Sequence, residues 1–318
     1  MKAIPKFPHF IRTDGLLEAE IRYLLTATRA IAKRADEIKP LLAGRTVVNL
    51  FLEPSTRTRT SFEVAVRKLG GSLLNFSSSG SSLSKGETLI DTARTIQAMK
   101  PHCLVVRHSS AGSPEFLVRS LRIPVVNAGD GFHEHPTQGL LDAFTIESAL
   151  GQIRGKRVVI MGDIAHSRVA RSNIHILNKL GASVAVCGPP TLLPPNPEAL
   201  GVEFDYRPEK LLKAADVVMM LRVQLERQNR MQIPSLAEYA RHWGLNKDRA
   251  KLLKKDAIIL HPGPVNHGVE IDPEVAEGRN SLILNQVANG VFVRMAVLAA
   301  VCNGEGLAEW LGSKGGKA

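Results

Sequence analysis

The sequence predicts an α/β fold of two similar domains, each a parallel β-sheet flanked by helices, with an active site in the cleft between them. Three observations carry this expectation. Short apolar, β-branched runs alternate with amphipathic segments of ten or more residues, the pattern of βαβ units. The alternation pauses at Gly151 and restarts at Arg157. The length of 318 residues suits two domains of about 150 residues each.

Leu17, Ile21, Leu24, Ala27 and Ile31 recur at spacings of three and four, which predicts a helix over 14–34 with Thr13 or Asp14 as its cap. TVVNLFLE (46–53) reads as a strand feeding a helix near 60–70. SLLNF (72–76) reads as a second strand before a serine-rich loop. A helix from about Glu87 to Met99 leads to CLVVRH (103–108) and then PVVNA (124–128). The helix expected over 136–150 ends at Gly151, so GQIRGK marks the hinge and the domains divide as 1–150 and 151–285. The second half runs through RVVIMGD (157–163), a helix over 167–180, SVAVCGP (183–189), DVVMMLR (216–222) and AIILHPG (257–263). A last helix, about 286–305, aligns Val287, Val291, Met295, Leu298 and Cys302 and is expected to pack back on the first domain.

Composition narrows the function classes. Hydrophobic residues make up 44% and charged residues 22%, which is globular composition. No eighteen apolar residues run together, so no spanning helix is expected, and the N-terminus lacks a signal-type apolar core. Cysteines stand only at 103, 187 and 302, too few and too scattered for a disulfide framework or a zinc cluster. These features predict a cytoplasmic protein without a metal. Lys+Arg minus Asp+Glu is 41 − 30 = +11, and the pI is about 9.8. The densest basic stretch, KDRAKLLKK (247–255), reads as the solvated face of a helix. With 5% aromatics and no nucleic-acid module, a nucleic-acid partner is not expected. The charge points to anionic ligands.

Ligands of open α/β sheets bind beyond the carboxyl ends of the strands, and the chemistry concentrates there. EPSTRTRTSFE (53–63) sets four hydroxyls and two arginines within Ser55–Thr60 at an expected helix start. Unpaired helix N–H groups, hydroxyl donors and a guanidinium fork together suit a tetrahedral oxyanion such as phosphate. No glycine-rich GKS/T follows, which removes support for a nucleoside-triphosphate site. In HEHPTQGLLDAFTI (133–146), His135 and Gln138 stand three apart at a helix opening and can face one ligand. VVIMGDIAHSRVARSN (158–173) has Gly162 but neither further glycine of a dinucleotide fingerprint, which weakens the competing class, an NAD-binding oxidoreductase.

The S-T-R-T stretch resembles the phosphate motif of the aspartate and ornithine carbamoyltransferases, and the resemblance extends over essentially the whole chain. It implies a carbamoyl-phosphate-binding domain (1–150) and an aspartate-binding domain (151–285). Carbamoyl phosphate would be held by Ser55, Thr56, Arg57, Thr58, Arg107, His135 and Gln138. Ser82 and Lys85 of the 77–89 loop would come from a neighbouring subunit of a homotrimer. His135, Arg107, Thr58 and Lys85 carry the family's catalytic roles, and Gln138 resembles the partner of the carbamoyl amine. The segment 162–169 matches G-D-x-x-x-S-R-V, placing Arg168 on the acceptor's α-carboxylate. Arg222 and Gln224 of MLRVQLER (220–227) match the pair that holds the aspartate side-chain carboxylate, and Lys85 is matched to aspartate binding as well. Gly263 and Pro264 of HPGPVNHGVEI (261–271) match backbone contacts to aspartate, where ornithine-specific relatives carry H-C-L-P. His267 departs from the arginine found there in many similar bacterial sequences, which removes an expected partner of Glu270 but no substrate contact. The implied reaction is carbamoyl transfer from carbamoyl phosphate to L-aspartate, an early step towards pyrimidines, with no cofactor. The alternative within the family is an ornithine acceptor. The resemblance leaves open a regulatory subunit or a dihydroorotase partner.

Overall fold

The computed structural model describes residues 4–77, 87–223, 233 and 235–313. The chain forms two compact units. Unit 1 comprises residues 1–140 and 288–318, and unit 2 comprises 141–287.

Unit 1 opens with α1 (Glu18–Lys33), whose Ile21, Leu24, Ala27 and Ile31 are buried as the spacing predicts. Its start differs from the expectation. Leu17 is the N-cap residue and its N–H bonds to Glu20 Oε2 at 2.8 Å. Thr13 is unavailable as a cap because its N–H and hydroxyl are held by the Glu134 carboxylate. Then follow β1 (Thr46–Phe51), α2 (Thr56–Lys68), β2 (Ser72–Ser77), α3 (Leu89–Ala98), β3 (Cys103–His108), α4 (Ser113–Val118) and β4 (Val125–Asp130). The four strands pair in parallel in the order β2-β1-β3-β4. Strands β1 and β3 lie inside the sheet and are buried along nearly their whole length, which is why they read as continuous apolar runs. Val48, Leu50, Leu104 and Val106 meet Ala93 and Ile96 of α3 and Leu117 of α4 in one cluster.

α5 (Pro136–Leu150) contains the division between the two compact units, Leu140 being the last residue of this part of unit 1 and Leu141 the first of unit 2. Unit 2 continues with β5 (Arg157–Met161), α6 (Arg168–Lys179), β6 (Ser183–Cys187), β7 (Glu203–Asp205), α7 (Pro208–Leu212) and β8 (Val217–Met220). It ends with α8 (Leu236–Trp243), α9 (Lys247–Ala250), β9 (Ile258–Leu260) and α10 (Pro273–Ala276). Its parallel sheet has the order β7-β6-β5-β8-β9. Val159, Met161, Ala185, Cys187, Val218 and Met220 form the core of one face. The basic stretch 247–255 is helical only over α9. Four of its five cations have carboxylate partners, Lys247 with Glu274, Arg249 with Glu209, Lys251 with Asp248 and Lys254 with Asp216.

α11 (Ile283–Gly312) is longer than the expected final helix and is two helices merged across a kink at Asn303. By length and composition it resembles a membrane span. Its Met295, Leu298 and Ala299 are nevertheless fully buried within unit 1, and Arg294 lies over the Phe62 ring at 5.2 Å. Val287, expected on the buried stripe, is half exposed, while Gln286 beside it is buried.

Candidate active site

In both sheets the chain reverses its order beside a central strand. After β1 it adds β2 on one side and returns to add β3 on the other. After β5 it adds β6 and β7, then returns to β8. A crevice opens at the carboxyl ends of strands where such a reversal occurs. The predicted site residues of each unit collect at that edge.

In unit 1, Phe51 of β1 is in register with Arg107 of β3. The chain leaves β1 through Glu53, and Ser55 holds extended backbone at the N-cap of α2. Ser55 makes no side-chain capping bond, so capping does not account for its hydroxyl. Thr56 and Arg57 are exposed and Thr58 is buried, all within the first turn. This turn offers backbone N–H groups and positive dipole to an anion. Arg107 is held from two sides: Nη1 donates to Ala128 O at 3.1 Å and Nη2 to Glu53 Oε1 at 3.0 Å.

The adjoining β4 delivers His135 and Gln138, both buried at the opening of α5. The turn between them is tight, with Gln138 N and Gly139 N both donating to His135 O. Buried carboxylates the sequence reading missed hold this turn in place. Asp130 Oδ2 accepts from Gly112 N at 2.7 Å and contacts His133 Nδ1 at 3.0 Å. Its Oδ1 accepts from Asn127 Nδ2 at 2.7 Å and Glu134 N at 3.1 Å. Glu134 in turn receives Thr13 N at 2.9 Å and Asp14 N at 3.3 Å. The bond to Asp130 raises the pKa of His133 above its ordinary value, against the opposing effect of burial. His108, at the end of β3, is lowered by burial despite nearby Glu53 and Asp130. Glu134 adjoins the HPTQ motif and was findable by position; nothing local marks Thr13 as its partner 121 residues away.

In unit 2, Met161 and Met220 are in register at the ends of β5 and β8. Gly162 adopts φ +132°, and a Cβ there would lie 2.9 Å from Leu221 Cβ and 3.0 Å from Leu221 O. The glycine is therefore required by the approach of two strand ends, which accounts for it without a pyrophosphate. Asp163 Oδ1 contacts His166 Nδ1 at 2.8 Å. Ser167 caps α6 by accepting from Ala170 N at 3.1 Å, which places Arg168, buried, at the first helical position. Arg222 follows β8 and is partly exposed.

Beyond β9 the loop turns at Gly263, with φ +65° and a cis bond to Pro264. His267 is exposed. Glu270, whose expected arginine partner is replaced by His267, is buried against His261: Oε1 lies 3.2 Å from Nε2 and accepts Asn266 N at 2.6 Å. The edge of unit 1 thus carries Ser55, Thr56, Arg57, Thr58, Arg107, His135 and Gln138, and that of unit 2 carries Arg168, Arg222, Gly263 and Pro264. Ser82, Lys85 and Gln224 lie outside the described residues. Among the described residues, no group of three or more His, Cys, Asp or Glu is arranged to hold a metal ion.

Comparison with known proteins gives two successive matches, the second of which runs on into α11. Residues 8–148 match the carbamoyl-phosphate-binding domain of the aspartate/ornithine carbamoyltransferases, and 154–301 match their Asp/Orn-binding domain. The aspartate carbamoyltransferase catalytic subunit of Myxococcus xanthus is 51% identical over 91% of this chain and 98% of its own length. That of Sorangium cellulosum is 54% identical over 94% of each chain. Aspartate transcarbamoylase of Trypanosoma cruzi, crystallised with carbamoyl phosphate and aspartate, superposes with a TM-score of 0.85 at 31% identity, over 94% of this chain and 99% of its own. An ornithine carbamoyltransferase from Pyrococcus furiosus does so at 0.82 and 30%, over 93% and 97%. Two strand-end clusters rich in anion donors, one per sheet, and similarity over nearly the full length lead to one conclusion: the chain belongs to the aspartate/ornithine carbamoyltransferase family.

Proposed function

We propose that this chain is the catalytic polypeptide of an aspartate carbamoyltransferase, converting carbamoyl phosphate and L-aspartate to N-carbamoyl-L-aspartate and phosphate in pyrimidine synthesis. The observation that carries the reading is the pairing of two kinds of anion site on one chain. The first turn of α2 with Arg107 suits a phosphate, and Arg168 and Arg222 beyond a second sheet suit a dicarboxylate. The close relatives named for aspartate, and His261-Pro262-Gly263-Pro264 in place of H-C-L-P, favour aspartate over ornithine.

In this reading Ser55, Thr56, Arg57, Thr58 and Arg107 clamp the phosphate, with Gln138 on the carbamoyl amine. Arg168 takes the α-carboxylate of aspartate. Arg222, Gln224 and Lys85 take the side-chain carboxylate, and Gly263 and Pro264 close over it. The neutral amine attacks the carbonyl carbon, and the oxyanion that forms is met by His135, Thr58 and Arg107. The C–O bond to phosphate then breaks, and the departing phosphate takes the amine proton. Holding both reactants in line contributes up to about 7–11 kcal/mol in well-aligned systems. We further propose a cytoplasmic homotrimer in which Ser82 and Lys85 of one chain complete the neighbour's phosphate site, supported by the resemblance of segment 77–89.

A colorimetric assay with purified protein, offering aspartate and ornithine separately alongside carbamoyl phosphate, tests the reading. Carbamoyl-aspartate as the sole carbamoylated product is expected. Citrulline, or no product, overturns the assignment, and a solution mass other than a multiple of three chains overturns the trimer.

A further inference from the structure

A buried hydrogen-bond relay runs through unit 2 and ends on the two elements that carry the proposed aspartate ligands. Its centre is Asp142 of α5. Asp142 Oδ2 accepts from Asn173 Nδ2 at 2.7 Å, and Oδ1 accepts from Gln286 Nε2 at 2.7 Å. Asn173 lies on α6, the helix that begins with Arg168, and its amide also donates to Val169 O at 3.0 Å. Gln286, on α11, accepts His261 N at 2.8 Å. His261 Nδ1 then accepts Gly263 N at 2.8 Å, so the ring carries its proton on Nε2, facing Glu270. Asp142, Asn173, Gln286, His261 and Glu270 are all at most 2% exposed.

The relay has a direction. The backbone N–H of His261 can only donate, so it fixes the Gln286 oxygen towards itself and the Gln286 NH2 towards Asp142. Asn173 also presents an NH2. A carboxylate can accept at each of its two oxygens, whereas an amide in its place accepts at one end and donates at the other, and a buried donor facing a donor loses its partner outright. We infer that Asp142 is a positioning residue for the acceptor half of the site, setting Arg168 through Asn173 and the Gly263–Pro264 turn through Gln286 and His261. The inference rests on the proposed function for its substrate but not for its geometry.

Asp142→Asn is nearly isosteric, so a side chain that merely filled space would tolerate it. The amide offers one acceptor and one donor, and one arm of the relay is lost. Flipping Gln286 only moves the mismatch on to His261 N. Adding Gln286→Glu restores the polarity of both arms: the carboxylate introduced there accepts from both His261 N and the new amide at position 142, and the net charge is unchanged.

Steady-state kinetics on the full-length protein should show Asp142→Asn raising the KM for aspartate about tenfold, the size of one lost buried bond. The kcat and the KM for carbamoyl phosphate should move less than about threefold, and the double variant should return near wild type. Amide exchange read on the same proteins should be faster over residues 261–264 in the single variant and restored in the double. Unchanged KM and exchange in Asp142→Asn, or a double variant no better than the single, overturns the relay. Should the wild type make no carbamoyl-aspartate, the proposed function falls and exchange alone decides the relay. If Asp142→Asn does not fold, Gln286→Met cuts only the His261 arm. It should speed exchange over 261–264, and unchanged exchange there overturns the inference.

Discussion

Arg107 Nη2 lies 3.0 Å from Glu53 Oε1, with the two side chains only 9% and 14% exposed. A guanidinium placed to meet a phosphate is therefore balanced by a carboxylate from the end of the neighbouring strand. Breaking a buried pair from one side typically costs about 3–5 kcal/mol, because it leaves a charge poorly compensated. Glu53→Gln should accordingly lower the melting temperature of the ligand-free protein. Phosphate or carbamoyl phosphate should then raise it by more than in wild type, since the anion now supplies the missing charge. Equal ligand-induced shifts in a thermal melt would count against a phosphate site at Arg107.

His135 is buried at the mouth of α5 and is assigned to the developing oxyanion. Replacing it with alanine should lower kcat about a hundred- to a thousandfold, as losing one oxyanion donor does elsewhere. Binding of a phosphonate analogue should change by only a few fold. A turnover number within a factor of three of wild type would remove His135 from the chemistry.

His133 provides a pH signature for the same turn. Its pKa is raised chiefly by the bond to Asp130, so the fold favours the protonated ring. That contribution is complete below the unfolded value of 6.5 and disappears as pH climbs through the higher folded value. His133→Gln should therefore lose more thermal stability relative to wild type at about pH 5.5 than at about pH 8.5. The opposite ordering would mean the Asp130 contact does not form in solution.

Cys187 ends β6 inside the core of unit 2, where burial above all, with Asp205 and Glu209 nearby, pushes its thiol up to about 12. At neutral pH almost none is thiolate, the form that reacts. Alkylation followed by peptide mass mapping should leave Cys187 unmodified until the protein is unfolded. Labelling of the native protein at the rate of a free thiol would contradict the packing.

The strands and long helices were legible in the sequence because each buries an unbroken or regularly spaced apolar set. β1, β3, β5 and β8 are runs such as TVVNLF and VVMM, and α1 repeats every three or four residues. The three-residue β7 and the short helices α7 and α10 were not. At that length neither period completes, and tertiary contacts decide the conformation. The same distinction divides the site. Ser55–Thr58, His135 and Gln138 are contiguous in sequence and announce themselves. Glu53 was visible only as a residue two places ahead of the S-T-R-T motif. Asp142, Asn173 and Gln286 are polar residues on three helices whose meeting depends on the folded chain. The substitution at His267 looked as though it would leave Glu270 without a partner; His261 fills that place from within the loop.

The Glu134 carboxylate, one residue before His135, is gripped by the backbone and hydroxyl of Thr13. Trimming the chain past that point, whether by a protease or by a later start codon, would strip away a ligand supplied from the other end of the domain. What looks like a dispensable leader in a linear map is thus part of the machinery's mounting, and an affinity tag is safest ahead of Phe10, whose N–H donates to Val125 O and whose carbonyl accepts from Asn127 N, rather than in place of it.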